Sequence, residues 1–136
     1  MSLNLERSLK ISNLCQDILF VHPMTRCSSF INRNGRIAES KFRDDRSIFG
    51  LTKQEFEMLY MQCRLQSSMN EEFSEKLGRL SYTLIKREST LNFLFPCFDG
   101  ILFVVLDNDI SIQNIVNDIS ELIIKSQFNF PKTTTC

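Results

Sequence analysis

At 136 residues the chain is one domain's worth of protein, and a 43% hydrophobic content rich in phenylalanine and lacking tryptophan supplies a core that needs neither disulfide nor metal. Lys plus Arg equals Asp plus Glu at sixteen each, so no global field draws it to nucleic acid or an anionic membrane. No apolar run approaches the roughly 20 residues of a bilayer span, and MSLNLERSLK lacks the apolar stretch of a secretory signal, so the expectation is a cytoplasmic protein without a membrane partner.

The first predicted element is a helix over 3–21, with Ile11, Leu14, Cys15, Ile18 and Leu19 recurring at steps of three and four. Leu5 and Leu9 extend that stripe by one turn. His22-Pro23 ends it, because proline disfavours α geometry in the residue before it. From Cys27 the period changes to two: Phe30 faces one way with Ser28 and Asn32, while Ser29, Ile31 and Arg33 face the other. Asn34-Gly35 predicts a hairpin through a type I′ turn, whose central residues both need positive φ. The return strand covers about 36–43, with Ile37 in the core and Phe42 expected on the opposite face.

After a loop at 44–51, Thr52 and Glu55 form the two ends of a capping box. The helix it opens turns Phe56, Leu59, Tyr60 and Cys63 inward. Met58, Met61 and Leu65 lie off that stripe, and a helix apolar on a second side is either deeply buried or in contact with another chain. Residues 66–78 read as a polar connection.

A three-strand meander follows. Its first strand spans about 79–87, with a turn at Glu88-Ser89-Thr90. The second spans 91–97, placing Leu91, Phe93, Phe95 and Cys97 on one face and Leu94 on the other. Asp99-Gly100 is the expected tight turn. The apolar run Ile101 to Leu106 suits a central strand buried on both faces. A last amphipathic helix at about 110–126 carries Ile112, Ile115, Val116, Ile119, Leu122 and Ile123. Residues 1–126 thus form a single domain, and 127–136 a flexible tail.

Little in the chain points to catalysis. The cysteines at 15, 27, 63, 97 and 136 are irregularly spaced, with no CxxC, and all but Cys136, at the end of a polar tail, are expected to be small buried hydrophobes in a reducing compartment. His22 is the only histidine, which removes His-triad and two-His metal sites; it is expected to face solvent at the helix end. A Cys27–His22 nucleophilic pair has no evident oxyanion hole. Asp107, Asp109, Ser111 and Asp118 match positions 1, 3, 5 and 12 of a calcium loop, but Ile112 stands where the sharp turn needs glycine. No glycine lies in a phosphate-cradling motif. The reading is therefore no enzyme, no cofactor and no metal.

The hairpin region holds Arg26, Arg33, Arg36, Lys41, Arg43 and Arg46 against Glu39, Asp44 and Asp45. It suits a solvated edge that resists strand-to-strand aggregation, with a surface for an acidic partner as the alternative. Exposed aromatics interleaved with the basic residues are not evident, so nucleic acid is disfavoured.

The order αββαβββα, α+β in class, resembles the roadblock, longin and profilin-like group. That resemblance implies a five-stranded antiparallel sheet of order 2-1-5-4-3 flanked by helices. CQDIL at 15–19, HPMTR at 22–26, INRNGRIAES at 31–40 and GRLSYTLIKRE at 78–88 are further similar to a family of short archaeal proteins with no established activity. The roadblock likeness implies dimerisation and scaffolding, often in the regulation of small GTPases. The expected function is a non-catalytic interaction or regulatory module, homodimeric, with Met58, Met61 and Leu65, and Arg33, Arg36 and Arg43, as its contact residues. The rival is a small-molecule sensor whose pocket is lined by Phe30, Phe93, Phe95 and Phe103.

Overall fold

The computed structural model describes residues 2–43, 50–108 and 111–128. In chain order the elements are α1 (Ser2–Val21), β1 (Thr25–Ile31), β2 (Ile37–Phe42), α2 (Lys53–Glu71), the single turn α3 (Ser74–Leu77), β3 (Thr83–Lys86), β4 (Thr90–Cys97), β5 (Gly100–Asp107) and α4 (Ile112–Phe128). The strands form one antiparallel sheet in the order β2-β1-β5-β4-β3. It is the α+β layout that the periodicity and the resemblance imply.

Alternation along the strands divides the core into two layers. Phe30, Leu91, Phe93, Phe95, Leu102 and Val104 join Ile11, Leu14, Ile18, Ile115 and Ile119 on the face covered by α1 and α4. Cys27, Ile31, Leu94, Ile101, Phe103 and Val105 meet Phe56, Tyr60 and Cys63 of α2 on the other. Central β5 feeds both layers, so Ile101–Leu106 is buried without a break. At Gly100, where β5 begins beside β1, an added Cβ would lie 2.3 Å from the Ile31 carbonyl oxygen and 2.6 Å from the Phe30 ring.

Several details depart from the sequence reading. Leu5 and Leu9 are exposed, so the buried stripe of α1 starts at Ile11. In the first hairpin Gly35 alone has positive φ, at 81°; the turn runs from Asn32 to Gly35, and the Asn32 side chain accepts from the amides of Asn34 and Arg36. The register slips between Phe30 and Ile31, opposite Ala38. That bulge reverses the parity of β2, so Ile37 and Phe42 both pack on the α2 face. The turn with two positive φ values is instead Phe98-Asp99, at 51° and 64°, one residue before the expected pair. Both helices of one layer hold it: Arg7 of α1 reaches the Phe98 carbonyl and Asp99, and the Phe98 amide donates to Gln127 Oε1 of α4 at 2.8 Å. Gln127 is thus part of α4 and of the folded body.

α2 runs to Glu71 and α3 follows, where a polar connection was expected; β3 is shorter than predicted, at four residues. His22 is mostly buried, its Nε2 3.0 Å from Asp118 Oδ2, because antiparallel packing of α1 and α4 brings the end of one beside the start of the other. Among the described residues no helix is long and apolar enough to cross a membrane.

Candidate interaction surface and cleft

The capping box of α2 forms as its sequence dictates: the Thr52 side chain accepts from the Glu55 amide at 3.1 Å, and Glu55 Oε1 accepts from the Thr52 amide at 2.9 Å. That fixes the start of the helix and the rotation of every residue after it. Phe56, Tyr60, Cys63 and Ser67 are buried against the sheet. At about 100° per residue, Met58, Met61, Leu65 and Met69 project from the opposite side of the helix. They are 58%, 41%, 57% and 63% exposed. Phe73 and Leu77 add exposed apolar area just beyond.

Sequence reading located the first three residues of this stripe and missed Met69. The four-residue step from Leu65 to Met69 was the available signal, overlooked because the surrounding serines and acids read as a connection. Met61 also has a second duty. It packs over the hairpin turn, where a Cβ on Gly35 would lie 2.6 Å from its Sδ. Beside α2, which packs over β4, the sheet ends in the edge strand β3.

The arginines of the hairpin do not form one patch. Arg33 and Arg36 are exposed at its tip, Arg33 lending its carbonyl to Arg64 Nε at 3.0 Å. Arg43 is placed elsewhere: its guanidinium donates to the carbonyls of Leu19, His22 and, at 2.7 Å, Thr25. It closes the C-terminal end of α1, where cationic donors are favoured by the helix dipole. Arg26 lies at a register slip of β1 against β5 and pairs with Asp107 at 3.3 Å. Arg46, Asp44 and Asp45 lie outside the described residues.

A cleft of about 650 Å³ lies between the first turns of α2 and the sheet. Phe56, Leu59, Phe103 and Val105 give it apolar walls, Asn92 lies in its lining, and the Arg26–Asp107 pair stands at its polar end. The expected pocket of Phe30, Phe93, Phe95 and Phe103 does not exist as one space. Phe103 is on the α2 face, where it walls the cleft, and the other three are on the opposite face within close-packed core.

The chemistry available to the cysteines is narrow. Burial pushes the thiols of Cys15 and Cys97 up to about 12, and those of Cys27 and Cys63 up to about 11. Cys27 Sγ lies 3.4 Å from Ser29 Oγ, and His22 is engaged with Asp118, so the two do not form a nucleophilic pair. Cys136 is outside the described residues. Of the calcium-loop positions, Asp107 meets Arg26 and Asp118 meets His22, while Asp109 is outside the described residues.

No protein-family model matches the chain, and no curated protein matches it. Solved structures do. A Roadblock/LC7 domain from Streptomyces avermitilis is 12% identical with a TM-score of 0.66, over 85% of this chain and 93% of that one. MglB from Myxococcus xanthus is 13% identical with a TM-score of 0.66, over 93% and 95%. The gliding protein MglB from Thermus thermophilus is 13% identical with a TM-score of 0.64, over 88% and 90%. The fold is that of Roadblock/LC7 domains.

Proposed function

We propose that the protein is a non-catalytic regulatory module that works as a homodimer, with the outward stripe of α2 as its self-association surface. One observation carries the reading: α2 is apolar on two opposite sides, and only one of them meets the sheet. Four large apolar side chains on the free side, three of them methionines, suit an adaptable helix–helix contact. The edge strand β3, beside α2, offers backbone pairing that would lengthen the contact across the dimer. One structural neighbour is an MglB described as having a tetrameric arrangement, and this supports assembly through the same fold. On the strength of the fold likeness, a small GTPase is the partner class placed first, and the arginines at the hairpin tip, Arg33 and Arg36, are the basic contact offered to an acidic surface.

Light scattering tests the self-association. The wild-type chain is expected to run as a dimer at micromolar concentration. Leu65→Glu is expected to weaken association at least about 100-fold, since it removes apolar burial and places a charge in the contact. Leu65 is exposed in the single chain, so the variant should keep its fold and its circular dichroism spectrum. A wild-type monomer at roughly 100 µM, where even a weak dimer is populated, or a Leu65→Glu dimer of unchanged affinity, refutes the reading.

A further inference from the structure

At the other end of the sheet from the Arg26–Asp107 pair lies a second pocket, of about 660 Å³. The β1–β2 turn brings Arg33 to it, the far half of α2 brings Arg64 and Glu71, the chain entering β3 brings Arg79, and the β4–β5 turn brings Phe98 and Asp99. Asp99 is already supplied with cations: Arg7, outside the lining, is 3.4 Å away and Arg33 is 3.9 Å away. Arg64 and Arg79 form no ion pair among the described residues. With Arg7 counted, four arginines stand against two carboxylates, an excess of two positive charges in a chain whose net charge is zero. Arg64 is also held in place. Its Cβ lies beside the hairpin turn, 3.7 Å from where a Cβ on Gly35 would stand. Its Nε donates to the Arg33 carbonyl at 3.0 Å, which leaves both terminal nitrogens without a partner among the described residues. A guanidinium fixed through Nε and open at its outer N–H groups is a prepared fork for an oxyanion, and its ordering cost falls on folding rather than on binding. The β4–β5 turn in the lining is strained. Phe98, at φ 51°, occupies a region that a bulky residue rarely enters, and Gln127 and Arg7 hold it there. Backbone strain of this kind collects at ligand sites.

We propose that this pocket binds a small phosphorylated polyol. The outer nitrogens of Arg64 and the guanidinium of Arg79 take the phosphate, whose charge of about −2 at neutral pH matches the local excess. Arg33 approaches it from the rim, where its side chain is 71% exposed. Glu71 and Nε2 of Gln127 line the same space and take the hydroxyls, the carboxylate as acceptor and the amide as donor. The volume exceeds what a bare phosphate fills and lies within the roughly 300–1,000 Å³ of small-molecule sites. None of Met58, Leu65 and Met69 lines the pocket, so the proposal goes beyond the self-association reading and does not rest on it.

The test is an NMR titration of the full chain with ribose 5-phosphate, ribose and inorganic phosphate at about pH 7.5, above the second phosphate pKa of about 6. Ribose 5-phosphate is expected to shift the Nε–H signals of Arg64 and Arg79 and the amides of Phe98 to Gly100 saturably. It is expected to bind at least about tenfold more tightly than ribose or inorganic phosphate alone. Arg79 is exposed, so Arg79→Gln should keep the fold, and it is expected to lower the affinity for ribose 5-phosphate at least about tenfold. Lys53→Gln removes the same charge from the far end of α2 and is expected to change that affinity less than about twofold. Inorganic phosphate binding as tightly as ribose 5-phosphate, equal losses in the two variants, or no saturable shift at these residues overturns the proposal.

Discussion

Arg43 shows how residue type and location part company. In sequence it is one more cation in a basic hairpin; in the fold its guanidinium donates to three carbonyls around the end of α1. No pattern within β2 announces this, because the acceptors are at Leu19, His22 and Thr25 and only the packing of α1 across the sheet brings them near. Arg43→Ala is expected to lower unfolding free energy by about 1.5–3 kcal/mol in urea titrations, the range for hydrogen bonds to charged groups, and to leave self-association unchanged. The buried thiols make a second prediction. Their native values lie above the ordinary 9.0, so the folded state retains protons that the unfolded chain releases as pH rises past 9. Stability is therefore complete below that pH and falls above it, at up to about 1.4 kcal/mol per unit for each thiol. Urea midpoints measured from about pH 7 to about pH 10.5 check this: a flat profile contradicts it. At about pH 8 the same four thiols should resist iodoacetamide until denaturant is added.

Between elements, the contact of hairpin and helix is the informative one. Asn34-Gly35 marked a hairpin correctly because glycine there needs positive φ. The turn type was not legible, since the Asn32 side chain, two residues upstream, takes the amides that define it. The bulge opposite Ala38 was equally hidden: it changes no residue type, yet it turns Phe42 onto Phe56, ring centroids 6.0 Å apart. Gly35 serves both its own φ and the approach of Met61. Gly35→Ala is expected to cost about 1–3 kcal/mol by urea unfolding, and Met61→Ala in the same chain should recover part of that by relieving the crowding but not the backbone strain. Full additivity of the two substitutions would show that the hairpin tip and α2 are not in contact. For α2 itself, the inward stripe and the capping box were readable because both are local patterns. Its length was not, because the serines and acids after Leu65 carry little periodic signal of their own.

For the whole molecule, the strand order came from the layout's resemblance to the roadblock group, and the uninterrupted apolar run Ile101–Leu106 suited the central place which that order gives β5. The fold is shared with solved structures at 12–14% identity because burial pattern, not residue identity, sets the layers. The cleft was not legible, since it depends on how far the first turns of α2 stand off the sheet. The outward stripe was partly legible, as apolar residues that the core could not use. Its proposed role as the contact between copies is tested directly by NMR on a mixed sample, with methionine and leucine methyls ¹³C-labelled in half of the molecules. Intermolecular NOEs are predicted from Met58, Leu65 and Met69 to protons of the unlabelled copy. Intermolecular NOEs confined to residues of α1 or α4, or none at all from a sample that sediments as a monomer, would contradict the account.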